Sequence, residues 1–213
     1  MREVYGKVWR SASPSERKAI YDYTCGSGSF NRPLRGYDGS WSNFKGIGKV
    51  DLDSEGRVNA IKDMTNLINK SSYDIDIWLQ RGIETSQGAA SFLGIPERSL
   101  RNWTQTRLEQ ELSKARVTDQ AFVSCGSAKG KGFSGYIFNI YCPKGTKMMY
   151  AEPFSSYGKG AGLDWNGIAK QPGFGYEDET IILCGTTFRV TKIEKKGGNT
   201  YFDLEVVSQI IGG

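Results

Sequence analysis

The chain has 213 residues, with 28 Lys and Arg against 23 Asp and Glu, a net charge of +5, 27 glycines and no histidine. Without histidine there is no Ser-His-Asp triad, Cys-His pair, His-ligated zinc or imidazole acid–base chemistry. The charge is mild and its longest Lys/Arg cluster (Lys192, Lys195, Lys196) is interrupted by Glu194, which argues against nucleic-acid binding; no apolar run approaches a membrane span.

In chain order, the N-terminus MREVYGKVWR has no signal-peptide core. Ser13-Pro14-Ser15-Glu16 is a helix start, with Ser13 as N-cap, Pro14 at the first position and Glu16 at the third. Ala19, Ile20 and Tyr23 supply the apolar stripe, and Cys25-Gly26 ends it. Asn31 to Gly36 forms a second short element, and Gly36 to Asp53 reads as an irregular loop. Val58, Ile61, Met64, Leu67 and Ile68 recur at helical spacing, which predicts a helix over 55–70.

From Asp74 to Gly82 the pattern alternates as a strand. Residues 84–116 are mixed, with a predicted helix near Thr104–Ala115. Short strands follow at Ala121–Ser124, Tyr136–Cys142, Met148–Ala151, Ile181–Leu183, Thr187–Ile193 and Tyr201–Val207, and Lys195 to Asn199 makes a hairpin turn. Helices first and strands later predict one α+β domain over 1–213, with a mainly helical lobe (1–73) and a β-sandwich core (74–213). Cys25, Cys125, Cys142 and Cys184 lack CxxC spacing, so reduced thiols are expected rather than a zinc site or disulfides.

Three features carry chemistry. Glu177, Asp178 and Glu179 cluster at the mouth of the Thr180–Leu183 run, and Glu177 and Glu179 share a face if a strand starts there. The group reads either as a solvated acidic loop or as a site for a cation. Arg81 closes a strand of Ile, Trp and Leu, and its bidentate fork suits a carboxylate or a phosphate equally. Phe122 to Ser127 is a strand running into Ser124, Cys125, Gly126 and Ser127, with no cation close enough in sequence to activate Cys125.

An arginine strand, then a serine strand, then a Glu-x-Glu turn resembles the mono-ADP-ribosyltransferases of the binary-toxin and C3-exoenzyme type, the Arg-Ser-Glu class, also found in phage head proteins. Tyr23-Thr24 through Asn31 to Arg35 resembles the family's N-terminal segment. Trp78 to Gly82 resembles its arginine strand, Gly175 to Leu183 its catalytic turn and strand, and Gly185 to Val190 the strand that follows. The middle motif departs from the family's Ser-Thr-Ser: here Ser124-Cys125-Gly126 keeps only the first serine, and Ser127 is a candidate replacement.

The resemblance implies a helical lobe over two packed, mostly antiparallel sheets, and NAD⁺ as co-substrate with no metal. It implies Glu179 as the catalytic glutamate at the ribose hydroxyl, Glu177 beside the incoming nucleophile, Arg81 at the diphosphate or its ribose, Ser124 bracing Glu179, and Gly82 at the nicotinamide amide. Asn31, Arg32 and Arg35 are further contacts to NAD⁺. Either Phe154 or Tyr157 stacks on nicotinamide, and either Phe174 or Tyr176 meets the target protein, with core packing the alternative for each aromatic. A Glu at position 177 goes with arginine as acceptor. The other readings are an NAD⁺ glycohydrolase and a catalytically silent phage structural domain. The expected partner is a target protein met by a monomer. A toxic enzyme of this kind needs delivery into a target cell, or a virion, and leaves room for an immunity protein.

Overall fold

In the computed structural model the described residues are 2–35, 54–113, 115–127, 134–156 and 178–210. The expectations for Gly36–Asp53 and for Tyr157, Phe174, Tyr176 and Glu177 lie outside them.

Among the described residues four helices come first: α1 (Arg2–Ser11), α2 (Pro14–Cys25), α3 (Gly28–Arg35) and α4 (Ser54–Asn69). The start of α2 is the capping box expected from sequence. Glu16 N donates to Ser13 Oγ at 3.1 Å, and Ser13 N donates to Glu16 Oε2 at 2.8 Å. Glu16 is buried, and Lys70 Nζ at 2.7 Å balances its charge, joining α2 to the end of α4.

Strand β1 (Ile77–Ile83) begins later than the alternation suggested, because Asp76 acts as a staple. Its carboxylate accepts the Lys144 N–H at 2.8 Å and the Tyr141 hydroxyl at 2.7 Å. Three short helices follow: α5 (Ser86–Leu93), α6 (Glu97–Asn102) and α7 (Gln105–Leu112). The strands are then β2 (Arg116–Asp119), β3 (Val123–Gly126), β4 (Tyr136–Cys142), β5 (Met148–Tyr150), β6 (Glu179–Ile182), β7 (Thr186–Lys196) and β8 (Asn199–Gln209). Gly197 and Gly198 turn the β7–β8 hairpin with φ of 60° and 80°, a conformation that favours glycine at both positions.

The eight strands run in the order β2-β7-β8-β4-β1-β3-β6-β5, with only β4 and β8 parallel. The sheet has a narrow waist. Between β1 and β3 the described residues form a single register pair, Gln80 with Gly126. Five strands lie on one side of that waist and three on the other. One core sits between these halves: Leu79, Phe138, Phe188, Phe202 and Leu204 from the five meet Val123, Cys125, Tyr150 and Ile182 from the three. The packing of two sheet halves is therefore that of a sandwich.

The three-stranded half is buried on its other face as well. There Phe122, Met149, Ile181 and Leu183 pack against Ile20 and Tyr23 of α2, Phe30 of α3 and Ile61 and Met64 of α4. Burial on both faces explains why β5 and β6 read as continuous apolar runs. In β7, by contrast, exposed Arg189 alternates with buried Phe188 and Val190, because one face meets water. No helix among the described residues is long and apolar enough to cross a membrane. All four cysteines are free.

Candidate active site

The site is built around β3, where the two sheet halves meet. Arg81 leaves β1 on the same side as buried Leu79, and its guanidinium lies 5.6 Å from the centre of the Phe92 ring on α5. Its Nη1 donates to the Ser124 carbonyl at 2.8 Å. Its Nε is buried with no hydrogen-bond partner among the described residues. One edge of the fork is thus spent on fixing the side chain, and a buried donor remains for an anionic ligand.

Ser124 alternates to the opposite face from Cys125. Its hydroxyl meets the Tyr23 phenol at 2.8 Å. Asn31 Nδ2 donates to that phenol at 3.2 Å, and Asn31 Oδ1 accepts the Phe122 N–H at 3.2 Å. Phe30 and Phe122 clamp the Tyr23 ring edge-on, at 5.5 and 5.7 Å. Helices α2 and α3 are thereby tied to β3 immediately beside Ser124.

Glu179 opens β6 and pairs with Gly126, two residues along β3 from Ser124. The alternation of the strands puts Glu179 on the Ser124 and Tyr23 face. It is buried, 8% exposed. Two neighbours register its charge. Tyr23's pKa is pushed well up, first by burial and then by the Glu179 carboxylate, against the lowering effects of Ser124, Asn31 and Arg81. The Cys125 thiol is pushed up to about 12, again by burial first, with Arg81 lowering it and Glu179 raising it. A carboxylate and a guanidinium thus flank β3, and Cys125 is a protonated core thiol rather than a nucleophile.

The structure therefore gathers Arg81, Ser124 and Glu179 around β3, while Gly82 follows Arg81 in β1 opposite Ile137 of β4. Other expected contacts fall differently. Arg35 makes a bidentate pair with buried Asp119, Nε to Oδ1 at 3.2 Å and Nη2 to Oδ2 at 3.0 Å. Asn31 is buried and occupied with Tyr23 and Phe122, so it holds the wall of the site. Arg32 is exposed on α3. Phe154 is 2% exposed in the core under the helical lobe, with Arg17 5.7 Å above its ring, which is the packing alternative for that aromatic. Ser127, the candidate replacement for the lost middle-motif hydroxyl, hydrogen-bonds Thr180 Oγ1 at 2.6 Å on the inner face. That holds the entrance of β6 from the side away from Glu179.

Sequence reasoning missed Phe92 beneath Arg81, Tyr150 beside Asp178, and the backbone of Asp178, whose φ is 56°. Only the last had a local signal, since aspartate is among the residues that tolerate left-handed backbone.

Chemically, a desolvated carboxylate stabilises positive charge that develops next to it, and a fixed guanidinium holds an oxyanion. A bond that breaks to leave an oxocarbenium-like cation beside an anionic leaving portion or tether suits this pair, and needs no imidazole.

Comparison with known proteins agrees with this chemistry. A model of the ADP-ribosyltransferase exoenzyme family matches residues 2–209. The structure of the Clostridium limosum C3 exoenzyme is similar with a TM-score of 0.69 at 16% identity, covering 97% of this chain and 90% of that one. C3stau2 from S. aureus, solved with NAD, gives 0.71 at 16% identity over 97% and 94%. The ADP-ribosylating toxin BECa of a C. perfringens binary enterotoxin, solved with NADH, gives 0.67 at 16% identity over 97% of this chain and 46% of that one. No curated protein sequence matches significantly. The family match spans nearly the whole chain, Arg81 and Glu179 included, so the protein belongs to the ADP-ribosyltransferase exoenzyme family and is an ADP-ribosyl transferase.

Proposed function

We propose that this protein transfers a single ADP-ribose from NAD⁺ to an arginine side chain of a target protein, releasing nicotinamide. The observation that carries the reading is the pair flanking β3: buried Glu179 on the face of Ser124, and Arg81 anchored on the Ser124 carbonyl with its Nε unpaired among the described residues. NAD⁺ as co-substrate is supported by two structural relatives, one solved with NAD and one with NADH.

In this reading Arg81 holds the diphosphate or its ribose, and Gly82, next along β1, offers backbone to the nicotinamide amide. Glu179 accepts the ribose hydroxyl and stabilises the cation that forms as the bond to nicotinamide breaks. Ser124, Tyr23 and Asn31 keep the face around Glu179 rigid. Glu177, two residues before Glu179 in sequence, takes the proton of the incoming guanidinium as it attacks. Arginine as acceptor rests on the identity of position 177 as Glu and on the fit of a guanidinium to carboxylates. Such an enzyme acts after delivery into a cell that holds its target.

The test is incubation with labelled NAD⁺ and cell lysate, followed by mass spectrometric mapping. A discrete protein labelled at arginine is the expected result, and Glu179→Ala should lower labelling about a hundredfold or more. Agmatine, a small guanidino compound, should compete as acceptor. Glu177→Gln should reduce transfer far more than nicotinamide release. Labelling on another residue type would reject the arginine assignment, and labelling that survives Glu179→Ala would reject the site.

A further inference from the structure

Asp178 separates the two glutamates, and among the described residues it is the one non-glycine with a left-handed φ, 56°. Three contacts hold it there. Its carboxylate Oδ1 accepts the Tyr150 hydroxyl. Its carbonyl accepts the Ser127 N–H at 2.8 Å, and the next carbonyl, that of Glu179, accepts the Ala151 N–H at 2.8 Å. The strands on either side of β6 therefore both grip the residue pair that leads into it. Tyr150 is itself held, since its carbonyl accepts Trp9 Nε1 at 3.1 Å and its ring lies in the core 6.0 Å from that of Trp9. Tyr150 draws the Asp178 carboxylate toward the inner core, while Glu179 faces Ser124 and Tyr23 across the strand. Two like charges adjacent in sequence are thereby sent to opposite faces.

We propose that Asp178 is a positioning residue: its left-handed backbone, locked by the Tyr150 phenol, sets the direction in which Glu179 enters β6 and so aims that carboxylate at the reacting ribose. The inference rests on the reading of Glu179 as the catalytic carboxylate. Asparagine at 178 keeps both properties the lock needs, tolerance of the left-handed region and an acceptor oxygen for Tyr150, while losing the charge. Alanine loses all three.

The experiment compares wild-type, Asp178→Ala, Asp178→Asn, Tyr150→Phe and the Asp178→Ala/Tyr150→Phe double variant of the full chain. Nicotinamide release and amide hydrogen exchange are both read. Asp178→Ala and Tyr150→Phe should each lower kcat about tenfold with KM for NAD⁺ within about twofold, and the double variant should fall no further than Asp178→Ala. Asp178→Asn should stay near wild type. In Asp178→Ala the Ser127 and Ala151 amides should exchange faster while the rest of the sheet keeps its protection. Wild-type kcat in Asp178→Ala, or an equal loss in Asp178→Asn, would overturn the proposal. A wild-type protein that releases no nicotinamide would overturn the reading of Glu179 instead. The exchange rates then decide the lock alone, and unchanged protection at Ser127 and Ala151 in Asp178→Ala would sink it.

Discussion

Cys125 lies between a guanidinium and a carboxylate and is nonetheless inert, because burial, with the carboxylate acting in the same direction, outweighs the guanidinium. Its pKa rises from 9.0 to about 12. A raised folded-state pKa supplies stability that is complete below the unfolded value and is lost as pH climbs toward the folded one. Thermal stability should therefore fall above about pH 9, and Cys125→Ala should flatten that fall in a series of melts from pH 8 to pH 10.5. Under native conditions a thiol reagent should titrate exposed Cys25 quickly, and Cys125 and Cys142 only after denaturation.

Arg35 separates a structural from a binding role at the same scale. Asp119 is 5% exposed, and its Oδ1 also accepts the Ala121 N–H at 3.0 Å. Removing Arg35 strands a buried carboxylate, at a cost discounted because the arginine is itself 36% exposed. Arg35→Ala should lower unfolding free energy by about 1–2 kcal/mol in urea. KM for NAD⁺ should change little if the ion pair is the whole of its role.

Among the elements, α5 links stability to binding. Thr85 caps it by accepting the Gly88 N–H at 3.1 Å, and Gly94 ends it with a φ of 67°. Its Phe92 lies both under Arg81 and against Phe138, with ring centres 4.9 Å apart. Thr85→Ala should cost about 1 kcal/mol of stability. Phe92→Leu keeps the position apolar but removes the ring face beneath Arg81, so KM for NAD⁺ should rise several-fold in steady-state assays. The cap of α2 was legible in sequence because a capping box is a local device whose residues lie within four positions. Strand β5 and the apolar stretch that ends β6 were legible as runs, because both of their faces are buried. Helices α1, α5 and α6 and strand β2 were not found, being short segments whose apolar residues gain meaning only from a partner. For α5 that partner is the Phe138 core; for β2 it is β7, which it joins at the sheet edge. The site was half legible. Arg81, Ser124 and Glu179 carry motifs that resemble a known family, whereas Phe92, Tyr150 and the buried place of Phe154 follow from packing between distant segments.

For the whole molecule, Phe138 is the keystone of the core between the halves. It stacks on Phe202 at 5.0 Å and meets Phe92 edge-on. Phe138→Ala should cost about 3–5 kcal/mol in equilibrium unfolding. The waist at Gln80 and Gly126 has a further consequence, which concerns time. Arg81 belongs to the half closed by the parallel pairing of β4 with β8, and Glu179 to the half closed by β3 with β6, so neither half holds both charges. Both closures join segments far apart along the chain, and such closures are slow. A refolding chain should regain helix signal early and the power to release nicotinamide last, in step with its slowest phase. Competence thus arrives as a single late event instead of accumulating with structure.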